Sequence, residues 1–229
     1  MRHAADWIVD YAYLIKGYSI MYKHRQPPKH YLGKNIPHKP PIILLPGITL
    51  QWSFLKPIGD ILSHAGHPVY VAPELKYNLL DIPGSAQIVQ KIIKDNHLQH
   101  VIIIGHSKGG LVGKYLLVNH NQHSSIKAVI AIATPFEGSS LAKFVRHNAF
   151  AEISTESDII KDLTAKSHVN DKIVSIIPSF DNHVWSARGS FLDGAQNINV
   201  SVRGHHKIIF SKEVLEKIME TVNKLSGPN

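Results

Sequence analysis

From residue 42 onward the chain is punctuated by short runs rich in Val and Ile, at 42–45, 69–72, 101–104, 128–133, 173–177 and 198–202. Such runs are largely continuous rather than alternating, which is the pattern of strands buried on both faces. Between them, apolar residues recur at three- and four-residue steps over 54–64, 86–94, 109–118, 141–147, 158–163 and 212–225. That is the period of helices resting one face on a core. Strands alternating with amphipathic helices predict an α/β fold: a minimal, mostly parallel sheet of about six strands with helices on both faces. Crossovers between parallel strands are right-handed, so the loops that follow the strands gather at one edge, where ligands of such sheets bind.

Before residue 41 the pattern is different. Trp7, Tyr11, Leu14, Tyr18 and Met21 recur at helical steps, with Asp6 expected as the N-cap. Arg25-Gln26-Pro27-Pro28-Lys29 ends that helix, and Pro37, Pro40 and Pro41 mark an extended linker. Two units follow: an arm over 1–40, made of an amphipathic helix and a Pro-rich linker, and an α/β domain over 41–229. The Trp/Tyr stripe is expected to dock on the body and complete its core. The other use of such a stripe is as an interfacial helix on lipid.

Composition narrows the classes. The 229 residues suit one catalytic-sized domain. No apolar stretch reaches the 18 residues of a membrane span, and Asp6, Asp10 and Lys16 interrupt any signal-peptide core. The expected location is cytoplasmic, with peripheral membrane contact as an option. With no cysteine, disulfides, thiolate metal sites and a cysteine nucleophile are excluded. The formal charge is +8, of which +5 falls within residues 1–40. Lys and Arg do not cluster on a nucleic-acid-binding motif, so no nucleic-acid partner is expected. An anionic membrane surface is the partner the basic arm suits, beside a plain solvated helix face.

The chemistry begins at Gly105-His106-Ser107-Lys108-Gly109-Gly110, placed between the run 101–104 and the helical pattern 109–118. A strand running through G-x-S-x-G into a helix is the context of a nucleophile elbow. Ser107 would sit on a strained turn that only glycine neighbours leave room for, at the positive end of the next helix. A serine nucleophile needs a base, an orienting acid and an oxyanion hole. The acid should follow the fifth run, where Asp181 is preferred over Asp193, whose Leu192-Asp193-Gly194 setting reads as a turn. For the base, His205 and His206 both follow the last run, and position alone does not separate them. The oxyanion donors would be the backbone N–H groups of Lys108 and of Ile48, in the loop after the first run. Ile48, Leu50, Trp52, Phe136 and Trp185 fall on loops of the same edge and are the candidate acyl-site residues. The Lys108 side chain itself reads as a surface lysine.

The blocks at 41–47 (PIILLPG), 105–110 (GHSKGG), 133–139 (ATPFEGS), and the Phe180-Asp181 and Gly204-His205 pairs are similar to those of the α/β-hydrolase superfamily, in particular its small bacterial lipases and esterases. The resemblance covers about residues 41–225. It implies a Ser107–Asp181–His205 triad, because the terminal block of such lipases carries its histidine directly after a glycine. It implies hydrolysis of carboxylic esters through an acyl-enzyme, with no metal or organic cofactor. Two departures stand out: Pro46-Gly47 where many lipases have His-Gly, and an arm without a counterpart. About 45 residues between the Thr134-Pro135 block and Asp181 leave no room for a large lid. Short- to medium-chain esters, lipid acyl groups or polyester chains are the expected substrates. An acyltransferase on the same scaffold, or a non-catalytic lipid- or partner-binding module, are the alternatives. A metal reading of Asp181, His183, His205 and His206 is set aside, since Ser107 accounts for the same residues. Oligomeric state is not legible.

Overall fold

In the computed structural model, which describes residues 2–33, 36 and 38–227, the apolar runs form one sheet. Its strands are β1 (Ile42–Leu45), β2 (Val69–Val71), β3 (Val101–His106), β4 (Ile126–Ile132), β5 (Ile173–Phe180) and β6 (Gln196–Arg203). All neighbours pair in parallel, in the order β2-β1-β3-β4-β5-β6. The helices are α1 (Arg2–Lys23), α2 (Lys56–His64), α3 (Ile82–Asp95), α4 (Lys108–Asn119), α5 (Asn148–Ala151), α6 (Asp158–Ala165) and α7 (Lys212–Ser226). This is an α/β-hydrolase-like sheet with the expected helical arm in front of it.

The continuous apolar strands have a direct cause: both faces of the sheet are covered. Ile42, Leu44, Ile102, Ile104, Ile130 and Ile132 point to one side and pack with residues of α2 and α7 and with Met21 of α1. Ile43, Leu45, Ile103 and Val129 point to the other, against α3, α4 and α6. Each such side chain taken fully out of water contributes roughly 1.5–3 kcal/mol. Helix α4 runs behind the sheet, buried on almost every side, and its glycines let it do so. A Cβ at Gly109 would come within 2.2 Å of the Leu45 carbonyl oxygen, and one at Gly110 within 2.0 Å of Thr134 Oγ1.

Strand order places the site. The chain steps outward from β1 to β2, then returns to lay β3 on the opposite side of β1. Loops leaving β1 and β3 therefore diverge, and the crevice between them is the usual ligand position in open parallel sheets. Leu45 is in register with Gly105, so the two loops start side by side.

Several local expectations change. Helix α1 begins at Arg2, four residues ahead of Asp6, so Asp6 is not its N-cap. Its carboxylate instead takes the Arg203 guanidinium, with Nη2 at 2.7 Å and Nε at 3.0 Å. The stretch expected as a helix from residue 54 opens with a 3₁₀ turn, Trp52–Leu55, before α2 starts at Lys56. The pattern at 141–147 splits into a 3₁₀ turn, Ser140–Phe144, and the single turn α5. Val145 is extended there, and His147 Nδ1 accepts the Ala149 N–H to start the new turn. Pro37 of the linker lies outside the described residues. The arm is docked: α1 buries Asp10, Gly17 and Met21 against the body, while Ile8, Ile15 and Tyr22 face outward.

Candidate active site

Ser107 is the residue between β3 and α4, and its backbone is held at φ 53°, ψ −122°. A side chain other than glycine is strained in this region, which the surroundings must over-determine. They do. Ser107 N–H donates to the Ile132 carbonyl at 2.8 Å, and Gly110 N–H donates to the Ser107 carbonyl at 3.0 Å. A Cβ at Gly105 would lie 2.4 Å from the Gly109 and Gly110 backbone, so the turn closes only with glycine there. The first N–H groups of α4 have no intrahelical acceptor and point, with the positive helix end, toward the serine.

The loop after β1 closes on this turn. Leu50 N–H donates to the Gly47 carbonyl at 3.2 Å, which leaves Ile48 and Thr49 as the two central residues, Thr49 at φ 64°. A Cβ on Gly47 would stand 3.2 Å from Ser107 Cβ and 3.0 Å from His106 Nδ1. The Ile48 amide thus belongs to a turn pressed against Ser107, opposite the start of α4 where the Lys108 amide lies.

Asp181 stands just past the end of β5. Its Oδ1 accepts N–H bonds from His183 at 2.7 Å and Val184 at 2.9 Å. Its two oxygens lie 3.1 and 2.9 Å from His205 Nδ1. A carboxylate only accepts, so His205 Nδ1 carries the proton and Nε2 is left as the basic nitrogen. The His205 backbone is pinned from two sides: its N–H donates to Asn182 Oδ1 at 3.1 Å, and its carbonyl accepts from His106 Nε2 at 2.9 Å. Burial works against both charges, pushing Asp181 up and His205 down, but each supports the other. Asp181 ends below the usual carboxylate range and His205 above the usual imidazole value. His106 is pushed well down by burial and stays neutral.

Ser107, His205, Gly47, Ile48 and Leu50 line one cavity of about 300 Å³. Its other walls include Leu141, Val145 and Phe150 from the segment after β4, and Tyr11 and Leu14 from α1. Ser107 and His205 are each only 5% exposed. Cover comes from those short pieces and from the arm rather than from a lid domain.

Not every expected residue reaches the cavity. Trp52 is buried in the core, edge-on to Tyr31 with ring centroids 6.1 Å apart, because its 3₁₀ turn points inward. Phe136 is packed behind the sheet, under Lys114. Trp185 lies outside the cavity wall, T-shaped against Trp7 at 6.2 Å and 42% exposed. The Lys108 side chain is not on the surface: Nζ is fully buried, donates to the Leu80 carbonyl, and sits 3.4 Å from Glu152 Oε2. Glu152 also accepts the Ile82 N–H at 2.8 Å, so this ion pair ties the start of α4 to the start of α3. Burial draws Lys108 down and Glu152 up.

Sequence reasoning missed His106, Asn182 and the arm residues. For His106 the signal was its place beside Ser107; for the arm the apolar stripe announced docking, but no local signal brought Asp10 or Tyr11 to this cavity. Asp10 is fully buried and faces His206 rather than solvent. Asp10, His183 and His206 lie close enough to hold a metal ion. The Asp10 oxygens, however, are already engaged, Oδ1 by the His206 and Lys207 N–H groups and Oδ2 by His206 Nδ1. Among the described residues no helix is long and apolar enough to cross a membrane.

Solved structures share this architecture. The mature lipase BlEst2 of Bacillus licheniformis superposes with a TM-score of 0.68 over 83% of this chain and 95% of its own, at 16% identity. A monoacylglycerol lipase of Paleococcus ferrophilus gives 0.62 over 84% and 96%, at 15% identity. At such identities the likeness establishes the α/β-hydrolase fold. The model of the PGAP1-like alpha/beta domain family matches residues 85–214, more than half of the chain, and the chain belongs to that family. No match was found among curated protein sequences.

Proposed function

We propose that this protein is a serine carboxylic-ester hydrolase that works through an acyl-enzyme on Ser107. The observation that carries the reading is the His205–Asp181 pair at 2.9 Å, opening on the same cavity as a serine held at φ 53°. His205 Nε2 takes the Ser107 proton as Oγ attacks the ester carbonyl. Asp181 keeps the proton of Nδ1 in place and stabilises the imidazolium. The amides of Lys108 and Ile48 receive the oxyanion, each donor contributing roughly 3–4 kcal/mol to the transition state. The imidazolium then gives its proton to the leaving alkoxide, which departs as alcohol. Water, deprotonated by the same nitrogen, releases the acid and restores Ser107.

The cavity bears on the substrate. At about 300 Å³, with Leu14, Ile48, Leu50, Leu141, Val145 and Phe150 among its walls, it suits one short- to medium-chain acyl group. Tyr11 and Val145 line it and are also about 40% exposed, at 39% and 40%, which puts them at its mouth. An ester whose alcohol part stays outside, as in a lipid or a polyester chain end, fits that arrangement.

The test is hydrolysis of p-nitrophenyl esters from acetyl to palmitoyl by wild type and Ser107→Ala, with fluorophosphonate labelling. The expected outcome is an optimum at short to medium chains, abolished in the variant along with labelling. A folded wild type that neither hydrolyses nor labels would remove the nucleophile assignment. Added alcohol turning most product into a new ester would move the reading to acyl transfer.

A further inference from the structure

The strongest unexplained feature near the cavity is Asp10, a carboxylate of α1 with no exposure at all. Its Oδ1 accepts the His206 N–H at 2.7 Å and the Lys207 N–H at 2.9 Å, and its Oδ2 accepts from His206 Nδ1 at 2.8 Å. Three bonds from a residue 196 positions away converge on the turn that carries His205. The glycine ahead of His205 is part of the same contact: Gly204 has φ 127°, and a Cβ there would stand 2.4 Å from Asp10 Oδ1. The neighbours in sequence extend the contact. Asp6, one turn earlier, holds Arg203 at 2.7 Å, and Tyr11 and Leu14 form cavity wall.

We propose that α1 is a working part of the active site, in which Asp10 is the positioning residue that holds the Gly204–Lys207 turn and so sets His205 over Ser107. This rests on the ester-hydrolase reading and deepens it. The reasoning is geometric. His205 has its own carboxylate on Nδ1, its carbonyl on His106 and its N–H on Asn182. The residue that follows it is held differently: the His206 and Lys207 amides and His206 Nδ1 all end on Asp10, while from the body Phe54 meets the His206 ring only edge-on, with centroids 6.1 Å apart. Without Asp10 one buried and one part-buried N–H group and one ring N–H lose their acceptor, and the turn must move to find water. A displacement of about 1 Å at a reacting group costs on the order of 100-fold in rate.

Asp10 acts a second way, through its charge. The groups facing the two histidines are Asp181 and Asp10 as anions, the neutral rings of His106 and His183, and the Tyr11 phenol ring, 6.3 Å from His206. His183 is pushed down to about 3 by burial and by the neighbouring histidines. Asp10 adds to Asp181 in supporting a positive His205. Asn at position 10 keeps an oxygen for the two backbone N–H groups, removes the charge, and turns an N–H toward His206 Nδ1, so that only the His206 ring must change its tautomer.

Three full-length variants separate these roles, each checked by circular dichroism and thermal melting. For Asp10→Ala, kcat on the preferred ester is expected to fall about 100-fold with KM within about threefold, and fluorophosphonate labelling to slow in parallel. Asp10→Asn should keep kcat within about tenfold while the acid limb of its pH–rate profile moves to lower pH, as loss of a supporting anion requires. Asp10→Glu, longer by one methylene, should fall between the two. A folded Asp10→Ala with wild-type kcat and labelling overturns the proposal while leaving Ser107 chemistry intact. If Asp10→Ala does not fold, Asp10→Asn decides: an unmoved acid limb with wild-type kcat overturns it. Wild type that fails to label brings down the hydrolase reading instead, a result distinct from either.

Discussion

His205 and His206 are consecutive residues with nearly the same surroundings on paper. Each is buried, and each has Nδ1 on a carboxylate, at 2.9 Å to Asp181 and 2.8 Å to Asp10. Both carboxylates use Oδ1 for two backbone N–H groups. Yet His205 is raised above the ordinary imidazole value and His206 is lowered. Burial opposes charge in both. The rings are only 5.2 Å apart, so a proton on one disfavours a proton on the other, and the first goes where anionic support is greatest. The two pairs also differ in where the N–H donors come from. Asp181 is held by His183 and Val184 of its own loop and presents a finished carboxylate to the ring. Asp10 is held by the histidine turn itself, so its bonds join two elements. In the proposed mechanism the first pair serves proton transfer and the second holds the turn; bond length alone does not tell them apart.

Removing the two histidines one at a time is the sharpest way to break that comparison. His205→Ala is expected to lower kcat/KM by on the order of 10⁵ or more, the scale seen when a triad base is removed. His206→Ala leaves the Asp10 bonds to the two amides and should cost only about tenfold. Equal losses in ester kinetics would mean that the roles are shared or reversed.

Removing the carboxylate charge at Asp181 comes next. Asp181→Asn should lower kcat by on the order of 10⁴, because an amide favours the wrong tautomer. In wild type the acid limb of kcat/KM should lie above pH 6.5, since His205 is raised, and activity rises as that proton leaves. The residual activity of Asp181→Asn should show its limb at lower pH. A limb that stays put would mean that Asp181 does not support the imidazolium.

The same distinction between paired and unpaired groups divides two lysines of α4, with a smaller effect read in stability. Lys108 is buried with Glu152 and a carbonyl, whereas Lys114 Nζ has no hydrogen-bond partner among the described residues and lies 5.9 Å over the Phe136 ring. Burial pushes Lys114 down to about 8 from 10.5. Between those values the unfolded chain binds more protons than the native one, so this group makes stability rise as pH rises through that window. Below about pH 8 its cost is roughly 3 kcal/mol at most. Lys114→Met should therefore raise the melting temperature at pH 7 and flatten the pH 8–10.5 slope relative to wild type. A variant less stable than wild type at pH 7 would show that Nζ has support from water.

Much of this was legible in the chain because it is local. The strands of the sheet announce themselves by continuous Val and Ile, and the elbow by glycines whose Cβ atoms would collide with backbone at 2.4 Å and less. Chain order and strand ends led to Asp181 and narrowed the base to His205 or His206; only the resemblance to lipases favoured His205. The aromatic residues of the loops could not be sorted in this way. Trp52 and Phe136 read like Leu50 in a linear pattern, and which of them fills core or cavity depends on how each loop turns.

What the sequence determined by itself, then, was the sheet, its helices and the glycine-flanked turn at Ser107, because each follows from periodicity and steric room within about ten residues. The tertiary structure decided which histidine is raised and which is lowered, which lysine is buried with a partner, and that Asp10 meets the turn after His205. Those outcomes depend on burial and on electrostatic partners brought together from opposite ends of the chain. A helical stripe records which face of α1 is apolar; it does not record that a carboxylate on that face will meet two amides and an imidazole from residues 206 and 207.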